Sequence, residues 1–422
     1  MTEFDTSSEV SDNLSMVESR ANHLRGTLLL SLMALCERTS YYGVRAIIIL
    51  YAVDPEGLGV ERELSLSFYS AHSALLLFLP IPLGFLIDKV IKQKKAILMG
   101  GLLSLCGYLM LLINSVSLLL VGLLLVALGT SMVKPSTTIL IGRQFKKENR
   151  KRSLSYFIFF LAINAGAFLG ISIIGYVGEM FSWTYGFLIG AAFTLAYLLM
   201  FLFTRHSIKE IEENTLVMKG KVVTLRDSLL FICLLLFIYV VFYKSWGLLA
   251  TTFSELTQVK EGSIMGYHLP IVSIDLITAI WYYPASFFIL IFWFYKGVGK
   301  TYSLFILSLL VLVLAILSVM ILMGVTTNLN LGPLIIFGGL VAIAEVLFSP
   351  LITSYLTRIS DINYSSTIYG VFYFLSHLLI GGLSYVIPID INLIFVVIAL
   401  VLIIVVMLGF RNQFYAMNKG ID

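Results

Sequence analysis

Glu37-Arg38-Thr39-Ser40-Tyr41-Tyr42-Gly43-Val44-Arg45-Ala46 sets three formal charges and two tyrosines inside a run otherwise apolar enough to lie in a bilayer. A charge at bilayer depth costs at least ~2.5–3.5 kcal/mol on insertion scales, so it persists only where it faces protein, water or a ligand. At about 100° per helical residue, Glu37, Arg38, Tyr41, Tyr42 and Arg45 fall within an arc of roughly 140°. One face of one membrane helix is therefore polar, charged and wide, which describes the wall of a solvated cavity.

The surrounding composition supports the membrane reading. The chain has 422 residues, 59% hydrophobic and 12% charged, with a mean hydropathy of +0.97. Soluble domains carry about 25% charged residues, so a polytopic membrane protein is expected. Twelve apolar stretches are long enough to span at ~20 residues each. They are approximately 27–52, 64–88, 95–113, 117–141, 153–178, 184–204, 228–250, 271–295, 302–324, 333–357, 366–386 and 391–410. Backbone groups in hydrocarbon must bond within their own segment, so these spans are predicted to be helices.

Basic residues choose the orientation. Of the 28 Lys and Arg, only Arg62 and Lys260 fall in loops on one side, and Arg38, Arg45, Lys134 and Lys244 lie in spans. All the others fall on the side of the N-terminus, which predicts that both termini are cytoplasmic in a multi-pass protein of the cell membrane. The net charge of +4 then serves contact with anionic lipid, and a nucleic-acid partner is not expected. Cys36, Cys106 and Cys233 all lie in spans, an odd number that argues for packing rather than a disulfide framework.

A polar stretch from Arg205 to Arg226 divides the spans six and six. The expected organisation is a disordered cytoplasmic tail (1–26), a six-helix bundle (27–204), a cytoplasmic linker (205–227), a second six-helix bundle (228–410) and a short cytoplasmic tail (411–422). The fold class is all-α, with two parallel six-helix bundles. The loop Gly84-Phe85-Leu86-Ile87-Asp88-Lys89, followed by Lys92, Lys94 and Lys95, resembles the major facilitator signature in which an acidic and basic cluster latches the cytoplasmic side. Its counterpart Lys296-Gly297-Val298-Gly299-Lys300 is a weaker echo, and a plain positive-inside anchor is the alternative for both. Pro80, Pro82, Pro135, Pro284 and Pro350 interrupt spans and kink them. Gly166 and Gly170 in the fifth span, and Gly370, Gly381 and Gly382 in the eleventh, permit bending or close helix approach.

Glu37, Arg38, Arg45, Lys134, Lys244 and Glu345 are the ionisable residues deep in spans, and they fall on the first, fourth, seventh and tenth. In a six-plus-six architecture these helices are equivalent and line a central cavity, so a shared aqueous site is expected. The alternative for each charge is an ion pair tying helices together. Four cations against two anions leave a formal surplus that favours a ligand bringing negative charge. Arginine suits bidentate capture of a carboxylate, lysine acts as a point charge, and Tyr41 and Tyr42 offer hydroxyls and aromatic walls.

These residues also carry a resemblance. Glu37-Arg38-x-x-Tyr41-Tyr42-Gly43 is similar to the first-helix motif E-x-x-E-R-F-x-Y-Y-G of the proton-dependent oligopeptide transporters. Gly129-Thr130-x-x-x-Lys134-Pro135 resembles that family's fourth-helix motif, and Phe159-Phe160-x-x-Ile163-Asn164-x-Gly166 its fifth. Glu345-x-x-x-Ser349-Pro350 resembles the tenth-helix motif, and Gly370-Val371-Phe372-Tyr373-Phe374-Leu375 the eleventh. The resemblance implies proton-driven symport of di- and tripeptides by alternating access, without a cofactor beyond the proton and without a required oligomer. It implies that Arg38, Arg45 and Lys134 meet the peptide carboxylate, and that Glu345 and Asn164 meet the amino end or backbone. Tyr41, Tyr42, Lys244, Trp246 and Ser349 complete the expected binding set, and Glu37, Lys134, Glu345 and His72 the expected proton-coupling set.

Two departures bear on the substrate. The motif's first glutamate is replaced by Ala34, and Lys244-Ser245-Trp246 replaces a seventh-helix segment that usually carries Glu-Gln chemistry. Both make the site more cationic, so an acidic peptide or another organic anion fits more obviously than a zwitterion. His72 is a candidate proton relay because an imidazole ordinarily titrates near neutrality, with a packing histidine as its alternative, and the same choice applies to His377. The competing classes are an anion or drug transporter, a non-transporting sensor, and a membrane enzyme. Five scattered histidines give no metal-ligand spacing, and Gly299-Lys300-Thr301 lacks the first glycine of a phosphate loop because position 294 is Phe294.

Overall fold

The computed structural model describes residues 4–146, 151–208, 210, 217–218, 221–222, 225–258, 281–289, 301–325, 331–386 and 393–409. The chain divides into two compact units. The first is Met1–Asn214 with Asp361–Gly370, and the second is Thr215–Ser360 with Val371–Asp422. The cut after Asn214 falls inside the stretch 205–227 read as a linker. Asp361–Gly370, expected in the second bundle, is grouped with the first unit.

In the first unit, α1 is Phe4–Val53, so residues expected to form a disordered tail are helical from Phe4. No proline interrupts 4–53 and the first glycine is Gly26, so nothing in the sequence stops a helix there. The second span is α2 (Arg62–Phe78), α3 (Pro80–Leu86) and a π-turn at Ile87–Ile91. Pro80 supplies the break between α2 and α3, because it has no amide to donate. Then come α4 (Gln93–Met110) and α5 (Val116–Arg143), which carries Pro135. The fifth span is α6 (Lys151–Gly170), a π-turn at Ile171–Gly175 and α7 (Tyr176–Met180), and the sixth is α8 (Trp183–Thr204).

Small residues let α6 lie directly on α1. A Cβ at Gly166 would come within 2.4 Å of the Leu35 carbonyl, and one at Gly170 within 2.3 Å of the Thr39 carbonyl. Hydroxyls fasten α8 to the same helix: Ser40 donates to the Gly190 carbonyl (2.7 Å) and Thr194 to Ser40 Oγ (2.9 Å). Thus α1 is enclosed, with one apolar cluster around Leu30, Met33 and Tyr197 and another around Val44, Ile47 and Phe187.

The loop after the second span is ordered around Asp88, which is buried. Its Oδ1 accepts from the Ser366 amide (3.1 Å) and its Oδ2 from the Thr367 amide and hydroxyl (both 2.9 Å). Gln93 Nε2 donates to both Asp88 Oδ1 and Ser366 Oγ (3.2 Å each). Asp88 therefore satisfies amides at the start of α13 (Ser365–Val386), where a helix leaves donors unpaired and favours negative charge. Arg143 donates to Gln93 Oε1 (2.9 Å), Glu210 Oε2 (3.3 Å) and the Ile362 carbonyl (3.2 Å). Lys94 reaches Glu210 at 3.4 Å.

The second unit begins with a two-residue antiparallel ladder, β1 (Val217–Met218) and β2 (Lys221–Val222), where an all-helical chain was expected. Its helices are α9 (Leu225–Gln258), α10 (281–289), α11 (Thr301–Val325), α12 (Leu331–Ile359), α13 from Val371 onward and α14 (Leu393–Gly409). Phe242 and Phe348 stack with ring centroids 3.8 Å apart, and Phe305 lies 5.3 Å from Phe348. The loop Lys296–Lys300, the segment 411–422 and most of the predicted span 271–295 lie outside the described residues.

Among the described residues, six stretches are long and apolar enough to cross a membrane. The fold is helical and membrane-spanning, while the count of twelve rests on the sequence reading. Large apolar side chains stay on the surface, including Phe203 at 82% exposed. Such faces suit acyl chains and would be unusual against water. The three cysteines are free, and Cys106 and Cys233 are exposed on helix faces rather than buried.

Candidate functional site

The charged face of α1 turns inward. Glu37, Arg38 and Tyr41 are buried, while Tyr42 and Arg45 are half-buried. Arg38 binds its neighbour Glu37 in a fork, with Nε to Oε2 at 2.5 Å and Nη2 to Oε1 at 2.6 Å. Each charge is answered by the other, as burial at this depth demands. The guanidinium also lies 4.8 Å from the Tyr41 ring centroid and 5.7 Å from that of Tyr42. One turn on, Arg45 donates to the Tyr69 hydroxyl (2.8 Å) and to that of Tyr41 (3.3 Å), with the Tyr69 ring 5.1 Å away.

A cavity of about 70 Å³ opens beside the pair, lined by Ala34, Glu37, Arg38, Tyr42, Lys134, Thr137 and Tyr197 together with apolar residues that include Ile97, Phe159 and Ile163. Lys134 is exposed at its rim although it sits mid-helix. Around Pro135, the Thr137 and Thr138 hydroxyls each return to a carbonyl four residues back, at Val133 and Lys134 (2.8 Å). Asn164 is half-buried on α6 and donates to the Phe160 carbonyl at 2.9 Å. His72 is buried on α2, with Nδ1 3.1 Å from the Leu123 carbonyl, and it shares a small second cavity with Tyr41, Arg45 and Tyr108.

The second unit has its own polar centre. Glu345 on α12 takes the Tyr243 hydroxyl of α9 on Oε1 at 3.2 Å and a short hydrogen bond from Tyr282 of α10 on Oε2. Tyr243 also lies 2.7 Å from Ser349 Oγ. Lys244 is half-buried on α9, and the Trp246 side chain lies outside the described residues. His377 is exposed, with Nδ1 2.7 Å from the Tyr373 carbonyl. Among the described residues no group of three or more His, Cys, Asp or Glu is placed to hold a metal ion.

Within the first unit, then, Glu37, Arg38, Tyr42 and Lys134 meet at one cavity, and Arg45 with Tyr41 and His72 borders another. In the second, Glu345 and Ser349 meet through Tyr243. The sequence reading did not anticipate Tyr69, Tyr197, Tyr243 or Tyr282. Tyr69 stands three residues before His72 and Tyr243 next to Lys244, which is the one sequence signal they offered. Tyrosine is too common in this chain, at 22 residues, for position alone to separate these from packing.

Inward-facing charges within apolar helices define a membrane protein built around polar cavities. The comparisons with known proteins narrow this. Residues 94–231 match the model of the POT family, PTR2. The di-/tripeptide transporter of Lactococcus lactis is 32% identical over 173 residues, covering 40% of this chain and 35% of that protein. The peptide transporter YePEPT of Yersinia enterocolitica is 28% identical over 178 residues, covering 41% and 35%. The chain's match thus spans about a third of the length of these curated relatives. A mutant of the peptide transporter POT solved with sulfate superposes with a TM-score of 0.59 at 20% identity, over 93% of this chain and 95% of that one. The POT family transporter PepTSo gives 0.58 at 15% identity, over 93% and 98%. At such identities the superpositions speak for the fold, and the family resemblance drawn from the motifs is borne out by the matched sequence.

Proposed function

We propose that this protein is a secondary active transporter that carries di- and tripeptides or peptide-like carboxylates together with protons, by alternating access of two six-helix bundles around a midplane site. In this reading twelve spans place both termini in the cytoplasm. Arg38, Arg45 and Lys134 receive the cargo's carboxylate, with Tyr41 and Tyr42 as walls. Asn164, Glu345 and Ser349 receive its amino end or backbone, and Lys244 and Trp246 border them. Glu37 and Glu345 exchange the proton against Lys134, Lys244 and the arginines, with His72 as a further carrier.

The observation that carries this reading is the buried Glu37–Arg38 fork beside the exposed Lys134 at a cavity, in a chain whose residues 94–231 match the POT family model. A buried ion pair next to a solvated cation is poised to be remade by a ligand carboxylate or a proton. The test is uptake of labelled dialanine into proteoliposomes. An inward acid gradient raises the initial rate, and Arg38→Ala or Lys134→Ala reduces it. Equal uptake with and without the gradient removes proton coupling, and no saturable uptake removes the peptide cargo.

A second reading, an organic anion or drug as cargo with altered or absent proton coupling, is favoured by Ala34, which leaves a methyl on the cavity wall beside two cations. Competition of a labelled organic acid by dialanine separates the two.

A further inference from the structure

One hydroxyl proton in the second unit stands between two acceptors. Glu345 and Ser349 lie four residues apart on α12, so they share a helix face. The Tyr243 hydroxyl of α9 reaches both, at 3.2 Å from Glu345 Oε1 and 2.7 Å from Ser349 Oγ. A phenol donates one proton and accepts on the same oxygen, whereas an ionised carboxylate only accepts. Against an ionised Glu345, therefore, Tyr243 donates to the carboxylate and Ser349 donates to Tyr243. Once Glu345 takes a proton on Oε1 the order reverses: the acid donates to Tyr243, and Tyr243 turns its own proton to Ser349. The Ser349 proton is then released, because among the described residues Ser349 Oγ has Tyr243 as its one hydrogen-bond partner. The groups around this chain of oxygens are mostly phenols. Tyr282 of α10 holds Glu345 Oε2, Tyr239 packs on Tyr243 with ring centroids 4.5 Å apart, and Tyr373 of α13 lies 3.2 Å from Thr353 Oγ1. Lys244 follows Tyr243 on α9 and is half-buried, and α11 meets α12 through Phe305 and Phe348.

We propose that Tyr243 is a positioning residue, a relay that reports the protonation of Glu345 to Ser349. Protonation changes Ser349 from a hydroxyl that spends its proton on Tyr243 into a donor open to a backbone carbonyl of the cargo. The proton that enters stays on Glu345, while Tyr243 and Ser349 keep their own and only rotate about their C–O bonds. The relay deepens the transport reading and rests on it for Ser349 as a contact of the cargo.

Infrared difference spectra of the full chain in detergent, between neutral and acid pH, test the relay without any cargo. The carboxylic C=O band of protonated Glu345 is the one that Glu345→Gln removes. In Tyr243→Phe this band is expected at higher wavenumber, because the acid has lost the acceptor for its proton. Ser349→Ala abolishes the accompanying change in the tyrosine C–O band, since Tyr243 no longer has a second acceptor. Tyr373→Phe, which removes a hydroxyl directed at Thr353, leaves the Glu345 band in place. A band unmoved in Tyr243→Phe, a tyrosine change that survives Ser349→Ala, or no Glu345 band on acidification overturns the relay. Uptake of labelled dialanine into proteoliposomes then tests its use in transport. External acid is expected to lower the parent's KM several-fold, and Tyr243→Phe to remove that dependence while saturable exchange of dialanine continues. A parent KM indifferent to pH, or a Tyr243→Phe KM that follows pH as the parent's does, overturns the coupling of relay to cargo. No saturable uptake by the parent removes the peptide cargo, and the infrared result alone then decides the relay.

Discussion

At the scale of single residues, the Glu37–Arg38 fork makes the sharpest demand on stability. Both side chains are buried, 7% and 4% exposed, and each satisfies the other through two hydrogen bonds. Removing one partner strands a charge that the interior cannot solvate, at a cost of ~3–5 kcal/mol, whereas removing both can be nearly neutral. Arg38→Met and Glu37→Gln alone are therefore each expected to lower the melting temperature in detergent clearly, with the double variant melting higher than Arg38→Met. A double variant that simply adds the two losses counts against a mutually satisfied pair. The charges themselves were legible in the sequence, because ionisable residues in apolar spans are too costly to be accidental. Their partners were not: Tyr69, Tyr243 and Tyr282 reach Arg45 or Glu345 from other helices. Helical periodicity fixes which face a residue occupies, but not which neighbour arrives there.

Among the elements, the α1–α6 crossing and the start of α13 show two ways a sequence fixes helix placement. At Gly166 and Gly170 an added Cβ would meet α1 backbone oxygens at 2.4 and 2.3 Å, and backbone cannot move aside as a flexible side chain can. Gly166→Ala and Gly170→Ala are expected to destabilise by ~1–3 kcal/mol each, the usual penalty of overpacking. Gly381→Ala, where an added Cβ meets nothing within 4 Å, is the control that leaves the melting temperature unchanged. Asp88 works differently, supplying both carboxylate oxygens to the Ser366 and Thr367 amides. Asp88→Asn keeps the shape but replaces one acceptor by a donor, and Asp88→Ala removes both, a loss of ~0.5–2 kcal/mol by analogy with helix caps. Faster hydrogen exchange of residues 365–368 in these variants checks it; unchanged exchange counts against a capping role. The sequence marked the kink at Pro80 and the close packing at Gly166, because those residue types carry their own geometry. It gave no sign of the helical Phe4–Gly26 stretch or of the π-turn at Ile171–Gly175, where polar composition and smooth apolarity hide the conformation.

For the whole molecule, the distribution of basic residues and the arrangement of helices make a joint prediction about sidedness. The turn after α1 carries Asp54, Glu56 and Glu61 ahead of Arg62, while the turn after α3, with the first residues of α4, carries Lys89, Lys92, Lys94 and Lys95. The two turns lie at opposite ends of the second span, Arg62–Ile91. Lysines near span ends are retained on the cytoplasmic side, and acidic residues contribute little to the choice. The first turn is thus expected outside and the second inside. Glu56 and Lys95 are both exposed, so either position accepts a probe without disturbing a buried contact. In a background with Cys36, Cys106 and Cys233 replaced by alanine, Glu56→Cys is expected to react with a membrane-impermeant maleimide on intact cells. Lys95→Cys should react only after permeabilisation. The opposite pattern would invert the orientation of every span. Labelling of both positions on intact cells would mean that Arg62–Ile91 does not cross the bilayer, which would undo the membrane placement of the Arg45–Tyr69 contact and of the charged face behind it.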